Sequence, residues 1–225
     1  MNKTAVLIPS RLDSTRFPRK PLALLDGVPM IKRIYDRCAS SGLDTYVVTP
    51  DEEIAYTVDR ALVVGDAENG TARCCLAIEH LEEYTQFINV QGDMPDVTVD
   101  MIEKTEWHLQ HYPITTLWTD MPEEQQHDPN TVKMITAGDR ALWFGRGITG
   151  YGKWHLGIYG YKRNPLEFYP TYEVEQEERV EGLEQLRWLK AGWDIGCLHS
   201  DFSGVEINEP GDIDKWHKLH QEQNS

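Results

Sequence analysis

Four cations, Arg11, Arg16, Arg19 and Lys20, fall within ten positions of this chain, with only Asp13 among them to offset their charge. The protein around them is acidic, with 37 Asp and Glu against 22 Lys and Arg and a formal charge of -15. A basic cluster in such a chain needs a local reason, and a polyphosphate supplies one. Guanidinium groups grip phosphate oxygens two at a time, and an ammonium adds a compact point charge. The competing reading is a solvated basic loop. The second candidate is Asp93, which follows an apolar run, 87–90, and the pair Gln91-Gly92. A carboxylate there is a hard-oxygen ligand suited to Mg2+ bridging nucleotide phosphates. The alternative is an Asp that caps a turn, since Pro95 follows closely. Gly70-Thr71, with Arg73 two residues on, opens a helical pattern and offers backbone N–H groups to an anion or a base edge. An ordinary N-cap explains the same residues.

Other constellations are weaker. His108-x-x-His111 and His217-x-x-His220 have chelating spacing but lack a third ligand of matching pattern. Asp212-Ile213-Asp214 resembles a glycosyltransferase D-x-D yet falls in a helical stretch. The run Glu173, Glu175, Glu177, Glu178 reads as a solvated face. The P-loop and nucleophile-elbow glycine motifs do not occur, and the glycine pattern G-R-G-I-T-G at 145–150 sits between two expected strands, 141–144 and 156–161, not at the start of a helix as a dinucleotide site requires.

Both leading candidates require strands that end at one edge of a sheet. Residues 5–8 form an apolar run broken at Pro9, and 46–49, 62–64 and 87–90 repeat the pattern, with helical spacing between them. Strand alternating with helix specifies a mostly parallel central sheet flanked by helices, an α/β fold. Helices are expected after Pro29, over 53–60, from Asn69 and over 99–110. Farther on, strands at 114–118, 132–135, 141–144 and 156–161 make a small β-rich insertion, roughly 112–163, in the second half. A single helix is expected across 177–189, a strand at 195–199, a short strand ending at Ile207, and a closing helix over 210–220. At 225 residues this is one domain, 1–225, able to bury a substantial core.

The negative charge argues against a duplex nucleic-acid partner. It does not oppose a nucleotide, which samples the local field. Cys38, Cys74, Cys75 and Cys197 show no disulfide framework, which suits a reducing, cytoplasmic setting. With the first strand expected to begin at once, no leader is expected, and no run approaches the length of a membrane span.

Seven segments, in order, resemble the 3-deoxy-manno-octulosonate (Kdo) cytidylyltransferases, the CMP-Kdo synthetases. Residues 8–11 (I-P-S-R) and 14–22 (S-T-R-F-P-R-K-P-L) match the nucleotide signature I-P-A-R and S-T-R-L-P-G-K-P-L. Residues 27–31 match G-x-P-M-I, 69–73 (N-G-T-A-R) match S-G-T-[ED]-R, and 89–93 match N-V-Q-G-D. Residues 144–146 (F-G-R), 155–161 (H-L-G-I-Y-G-Y) and 183–187 (L-E-Q-L-R) complete the series. The resemblance implies a fold of nucleotide-diphospho-sugar transferase type, Mg2+ dependence, a homodimer, and the coupling of CTP to a 2-keto-3-deoxy sugar acid. It implies that Arg11 and Lys20, with Asp93, are catalytic. Pro9, Ser10, Arg16, Gly70, Thr71 and Arg73 would hold the nucleotide. Gln91, Arg146, His155, Tyr159, Glu184 and Gln185 would face the sugar acid, and the 112–163 insertion would serve the sugar side and dimerisation.

Three departures stand out. The family's G-V-D-T-P-E-D reads E-I-N-E-P-G-D over 206–212, so the aspartate that is its second metal ligand aligns with Asn208. An amide oxygen can coordinate Mg2+ but brings no charge, and weaker metal binding is the expected cost. Arg19 stands where the family has glycine, which adds charge to the phosphate loop. The glutamate run replaces the family's S-P-L-E ahead of Leu183.

Overall fold

The computed structural model describes residues 2–14 and 16–223, and so leaves out Thr15 of the S-T-R segment. Among the described residues, eleven strands, eight α-helices and three short 3-10 helices follow one another. The first half carries β1 (Thr4–Pro9), β2 (Leu24–Leu25), β3 (Val28–Pro29), α1 (Met30–Ala39), β4 (Asp44–Thr49), α2 (Glu52–Ala55), β5 (Ala61–Val63), α3 (Gly70–Ile78), β6 (Gln86–Val90) and α4 (Val99–His108). The second carries β7 (Ile114–Thr119), β8 (Lys133–Ala137), β9 (Arg140–Gly145), β10 (Lys153–Lys162), α5 (Arg163–Phe168), α6 (Gln176–Glu181), α7 (Gln185–Lys190), β11 (Ile195–His199) and α8 (Asp212–Gln223).

Nine strands form one sheet in the order β5-β4-β1-β6-β10-β7-β11-β9-β8. The strands β5, β4, β1 and β6 are parallel neighbours. Strand β10 then runs antiparallel between β6 and β7. Strand β11 returns parallel to β7, and β9 and β8 pair antiparallel beyond it. The start of β10 also pairs with β8, through Lys153 and Trp154, so β10, β7, β11, β9 and β8 close into a ring. A bulge between Leu156 and Tyr159 lets β10 pass from β8 to β6, the usual work of an extra residue beside a binding site. The strands of 112–163 thus belong to the same sheet as β1.

Strand β1 is buried on both sides, as a central parallel strand must be. Ala5 and Leu7 pack with α3, α5 and α7 on one face, whereas Val6 and Ile8 pack with α1, α4 and Trp216 of α8 on the other. Among the described residues no helix is long and apolar enough to cross a membrane.

Three expectations need correction. The helix expected over 53–60 is the single turn α2, because Thr57 turns its hydroxyl back onto the Ile54 carbonyl at 2.6 Å and closes a tight turn. The helix expected across 177–189 is two, α6 and α7. Gly182 ends α6 with φ +63°, a left-handed conformation that glycine adopts without a Cβ clash. Ile207 ends no strand, since 201–208 takes no regular structure and is tied by one backbone bond, Ile207 N–H to Asp93 O at 2.9 Å.

Candidate active site

The basic loop springs from the carboxyl end of β1 and is held from below. Ser10 N–H donates to Val48 O at 2.9 Å, and Leu12 N–H donates to the Asp51 carboxylate at 2.8 Å. Gly92 brings the end of β6 against it, where an added Cβ would lie 3.0 Å from Pro9 O. A cavity of about 320 Å3 results, lined by Pro9, Ser10, Arg11, Arg16, Lys20, Gly70, Arg73, Gln91 and Asp93 among others. Arg73 is buried, and its pKa is lowered first by that burial and next by the Arg11 charge. Its Nε and the Ser10 hydroxyl are buried without a protein partner. Cations pressed together, with unfilled donors beside them, suit a polyanion.

Lys20 sits at the centre. Its ammonium donates to the Asp93 carboxylate at 3.2 Å and to Ile207 O at 3.0 Å. These bonds fix the start of the 207–208 segment against the end of β6.

A second cavity, about 210 Å3, shares Arg16, Gln91 and Asp93 with the first. All six sugar-side candidates line it, Gln91, Arg146, His155, Tyr159, Glu184 and Gln185, together with Thr71 and Asn208. His155 is buried on β10 and shares a hydrogen bond of 3.0 Å with the Thr116 hydroxyl. Burial, then the Arg146 charge, lowers its pKa to about 3, so the ring is neutral at ordinary pH. Burial likewise raises the Tyr159 hydroxyl well above its ordinary range. Gln185 is 4% exposed, and its Nε2 has no protein partner.

The family's sequence profile, described as Cytidylyltransferase, matches residues 5–195. The chain belongs to the cytidylyltransferase family. An 8-amino-3,8-dideoxy-manno-octulosonate cytidylyltransferase from Shewanella halifaxensis is 38% identical, covering 95% of this chain and 96% of the relative. A 3-deoxy-manno-octulosonate cytidylyltransferase from Brucella ovis is also 38% identical, over 95% of this chain and 94% of the relative. Among solved structures, a CMP:2-keto-3-deoxy-manno-octonic acid synthetase complexed with CTP superposes with TM-score 0.90 at 29% identity, covering 99% of this chain and all of the other. A 4-diphosphocytidyl-2C-methyl-D-erythritol synthase from Anaerococcus prevotii shares the fold, with TM-score 0.70 at 14% identity over 98% of this chain and 96% of the other.

Several details of this cytidylyltransferase differ from the sequence-based expectations. The Gly70 and Thr71 amides, expected to be open to an anion, are accepted by the Glu184 carboxylate at 3.4 and 2.9 Å. Asn69 is the helix cap, its Oδ1 accepting Ala72 N–H at 2.7 Å. Burial pushes Glu184 up while the Thr71 and Gly70 bonds hold it down, with the net shift upward. Arg19 does not add to the phosphate cavity. It takes the left-handed conformation, φ 58°, where the family has glycine, and its guanidinium pairs with Glu53. Nor is the glutamate run a wholly solvated face, because Glu178 is buried and grips Arg187 at 2.8 and 2.5 Å.

Arg146 is held by groups that sequence reasoning missed: Glu181 O accepts its Nε at 3.2 Å, and the Glu181 carboxylate accepts its backbone N–H at 2.6 Å. The other missed residue is Glu206, which lines the second cavity beside Asn208. Burial and then the Asp93 charge push its carboxyl up from the usual range. The one available signal was its place opposite a family glycine. For a metal, the donor set is Asp93, Asn208 and Glu206, all hard oxygens. Among the described residues no three His, Cys, Asp or Glu side chains form a cage, and Mg2+ needs none. It is bound by one or two carboxylates plus substrate phosphates and water, and the oxygens lining this cavity fit that pattern.

Proposed function

We propose that this cytidylyltransferase couples CTP to Kdo or a close 2-keto-3-deoxy sugar acid, with Mg2+, giving the CMP-sugar and pyrophosphate. The observation that carries this reading is the continuity of the two cavities through Arg16, Gln91 and Asp93. A triphosphate beside the cations and a sugar acid beside Arg146 would meet at Asp93. The relative named as a 3-deoxy-manno-octulosonate cytidylyltransferase and the CTP-bound neighbour support it.

The anomeric hydroxyl oxygen attacks the α-phosphorus, the bond from that phosphorus to the bridging oxygen breaks, and pyrophosphate leaves as the hydroxyl proton is lost. Arg11 and Lys20 neutralise the charge that grows on the α- and β-phosphates, which is electrostatic catalysis by preplaced cations. Arg16 and Arg73 hold the triphosphate, with Ser10 and the Pro9 turn beneath it and Gly70 and Thr71 near the base. Bound Mg2+ would act as a Lewis acid on the phosphate oxygens, held by Asp93 and Asn208. Gln91, Gln185 and neutral His155 orient sugar oxygens, and Arg146 receives the carboxylate or hydroxyls. Tyr159 and Glu184 shape the floor. The enzyme works as a cytoplasmic homodimer. Its four cysteines are free and buried, in keeping with that compartment, and sedimentation would read the dimer.

CTP, Kdo and Mg2+ should yield pyrophosphate with the wild-type protein and none with Asp93→Ala. Robust turnover by that variant would remove Asp93 from the site. A second reading, an aminated acid such as an 8-amino sugar, is favoured by the name of the Shewanella relative and by the carboxylates lining the sugar cavity. A panel of acids assayed with CTP separates the two.

A further inference from the structure

Residues 206–208 alternate in burial, with Ile207 buried between half-buried Glu206 and Asn208. Ile207 is fully buried in the core beside α8. Glu206 and Asn208, on either side of it, both line the second cavity and a further one of about 280 Å3 that meets it at this segment. The backbone between them is clamped to Asp93 and Lys20 by the Ile207 N–H and carbonyl. Asp93, Arg146 and Lys20 are the charges that face Glu206.

Among the described residues, the half-buried Glu206 carboxylate makes no hydrogen bond and no ion pair. Of the two cations that face it, Lys20 is bonded to Asp93 and Ile207 O, and Arg146 to Glu181 O and Asn130 O. Glu206 lies in the wall of the cavity that also holds the Asp93 carboxylate, where an arriving cation would meet both. Buried Gln185 lines the same cavity with its Nε2 unpartnered, a donor that calls for an acceptor oxygen such as one on the substrate the metal would hold.

The sequence contains a matched pair of changes at this point. On the resemblance drawn from the sequence, glycine and aspartate stand where this chain has Glu206 and Asn208, so a carboxylate is lost at one position and gained two residues away. We propose that Glu206 is the second carboxylate ligand of the metal ion, restoring the charge that Asn208 does not carry. This rests on the reading that metal-bound CTP lies against Asp93. It turns the Asn208 departure from a weakened site into a relocated one.

Mn2+ binding in the presence of CTP, read by the loss of the free-ion EPR signal, tests this without turnover. Wild-type binding tests the underlying reading, and the ratio of variant to wild type tests the inference. Glu206→Gln, nearly isosteric, should weaken Mn2+ binding by ~10-fold or more. The double variant Glu206→Gly/Asn208→Asp, which reproduces the family arrangement, should recover to within about threefold of wild type. Wild-type affinity in Glu206→Gln would overturn the proposal, as would a double variant as weak as Glu206→Gln. If Glu206→Gln keeps Mn2+ but loses preference for an aminated over a hydroxylated sugar acid, the proposal also fails, and Glu206 is the partner of a substrate ammonium.

Discussion

Around the β1 loop, Arg11 and Arg16 are exposed and make no ion pair among the described residues, and buried Arg73 has an unfilled donor. Across the shared cavity the arginines are committed. Arg146, in the cavity wall, is held by the backbone carbonyls of Glu181 and Asn130, and Arg187, on α7 outside the cavity lining, is paired with Glu178 and Glu68. The nucleotide side keeps Arg11, Arg16 and Arg73 for a ligand that brings its own charge, though Lys20 bonds Asp93, whereas on the sugar side Arg146 and Arg187 are held by protein groups and help build a shaped wall. Charge left unpaired is stored for binding and chemistry. Charge paired internally, under burial, specifies structure.

Substitutions on the two sides should therefore fail in different ways. The largest effect expected is Arg187→Ala, which strands Glu178, 6% exposed, without its partner. Breaking one half of a buried pair costs about 3–5 kcal/mol, to be read by urea unfolding. Replacing both residues with apolar ones should recover most of it. A loss under about 1 kcal/mol would mean that the pair is not structural.

Next comes Lys20→Ala, which should lower kcat by ~10²-fold or more while changing the unfolding free energy by only about 1 kcal/mol. An unchanged kcat, with large destabilisation, would erase the contrast between the two sides.

The buried histidine gives a smaller, pH-dependent signal. His155 has a pKa near 3 when folded and 6.5 as its ordinary value. Below pH 6.5 the unfolded chain binds the proton that the folded one refuses, so stability falls as pH falls, by about 1.4 kcal/mol per unit. His155→Gln should flatten that acid slope by close to one proton, measured from denaturation at pH 7 and pH 5. A slope unaltered by the substitution would show that the ring is not held neutral.

Smallest is Arg19→Gly. Removing a left-handed non-glycine residue and an exposed ion pair should change stability by no more than about 1 kcal/mol. Because the guanidinium faces Glu53, KM for CTP should stay within about twofold of wild type. A large rise in KM would return Arg19 to the phosphate site.

The nucleotide side was legible in the chain because its signals are local. Cations follow one strand, a Gly-Asp follows another, and parallel strands place both at the same edge. The sugar side was read largely by resemblance. Its candidates lie between residues 91 and 185, and nothing in their spacing says that they share a cavity. The glutamate run shows the limit well: 173–178 looks uniformly solvated, yet Glu178 is buried because Gly182 breaks the helix and turns that face toward Arg187.

By themselves, then, the residues determined the alternating strands and helices, the basic loop, and the partnership of that loop with Asp93, since each depends on short-range pattern and on sheet direction. Only the tertiary structure decided that β10 reverses and rings with β8, that Glu184 rather than a ligand takes the α3 amides, and that Glu206 faces Asp93. These contacts join positions about a hundred or more residues apart, or depend on how a bulge and a left-handed glycine redirect the chain, and no local periodicity encodes either.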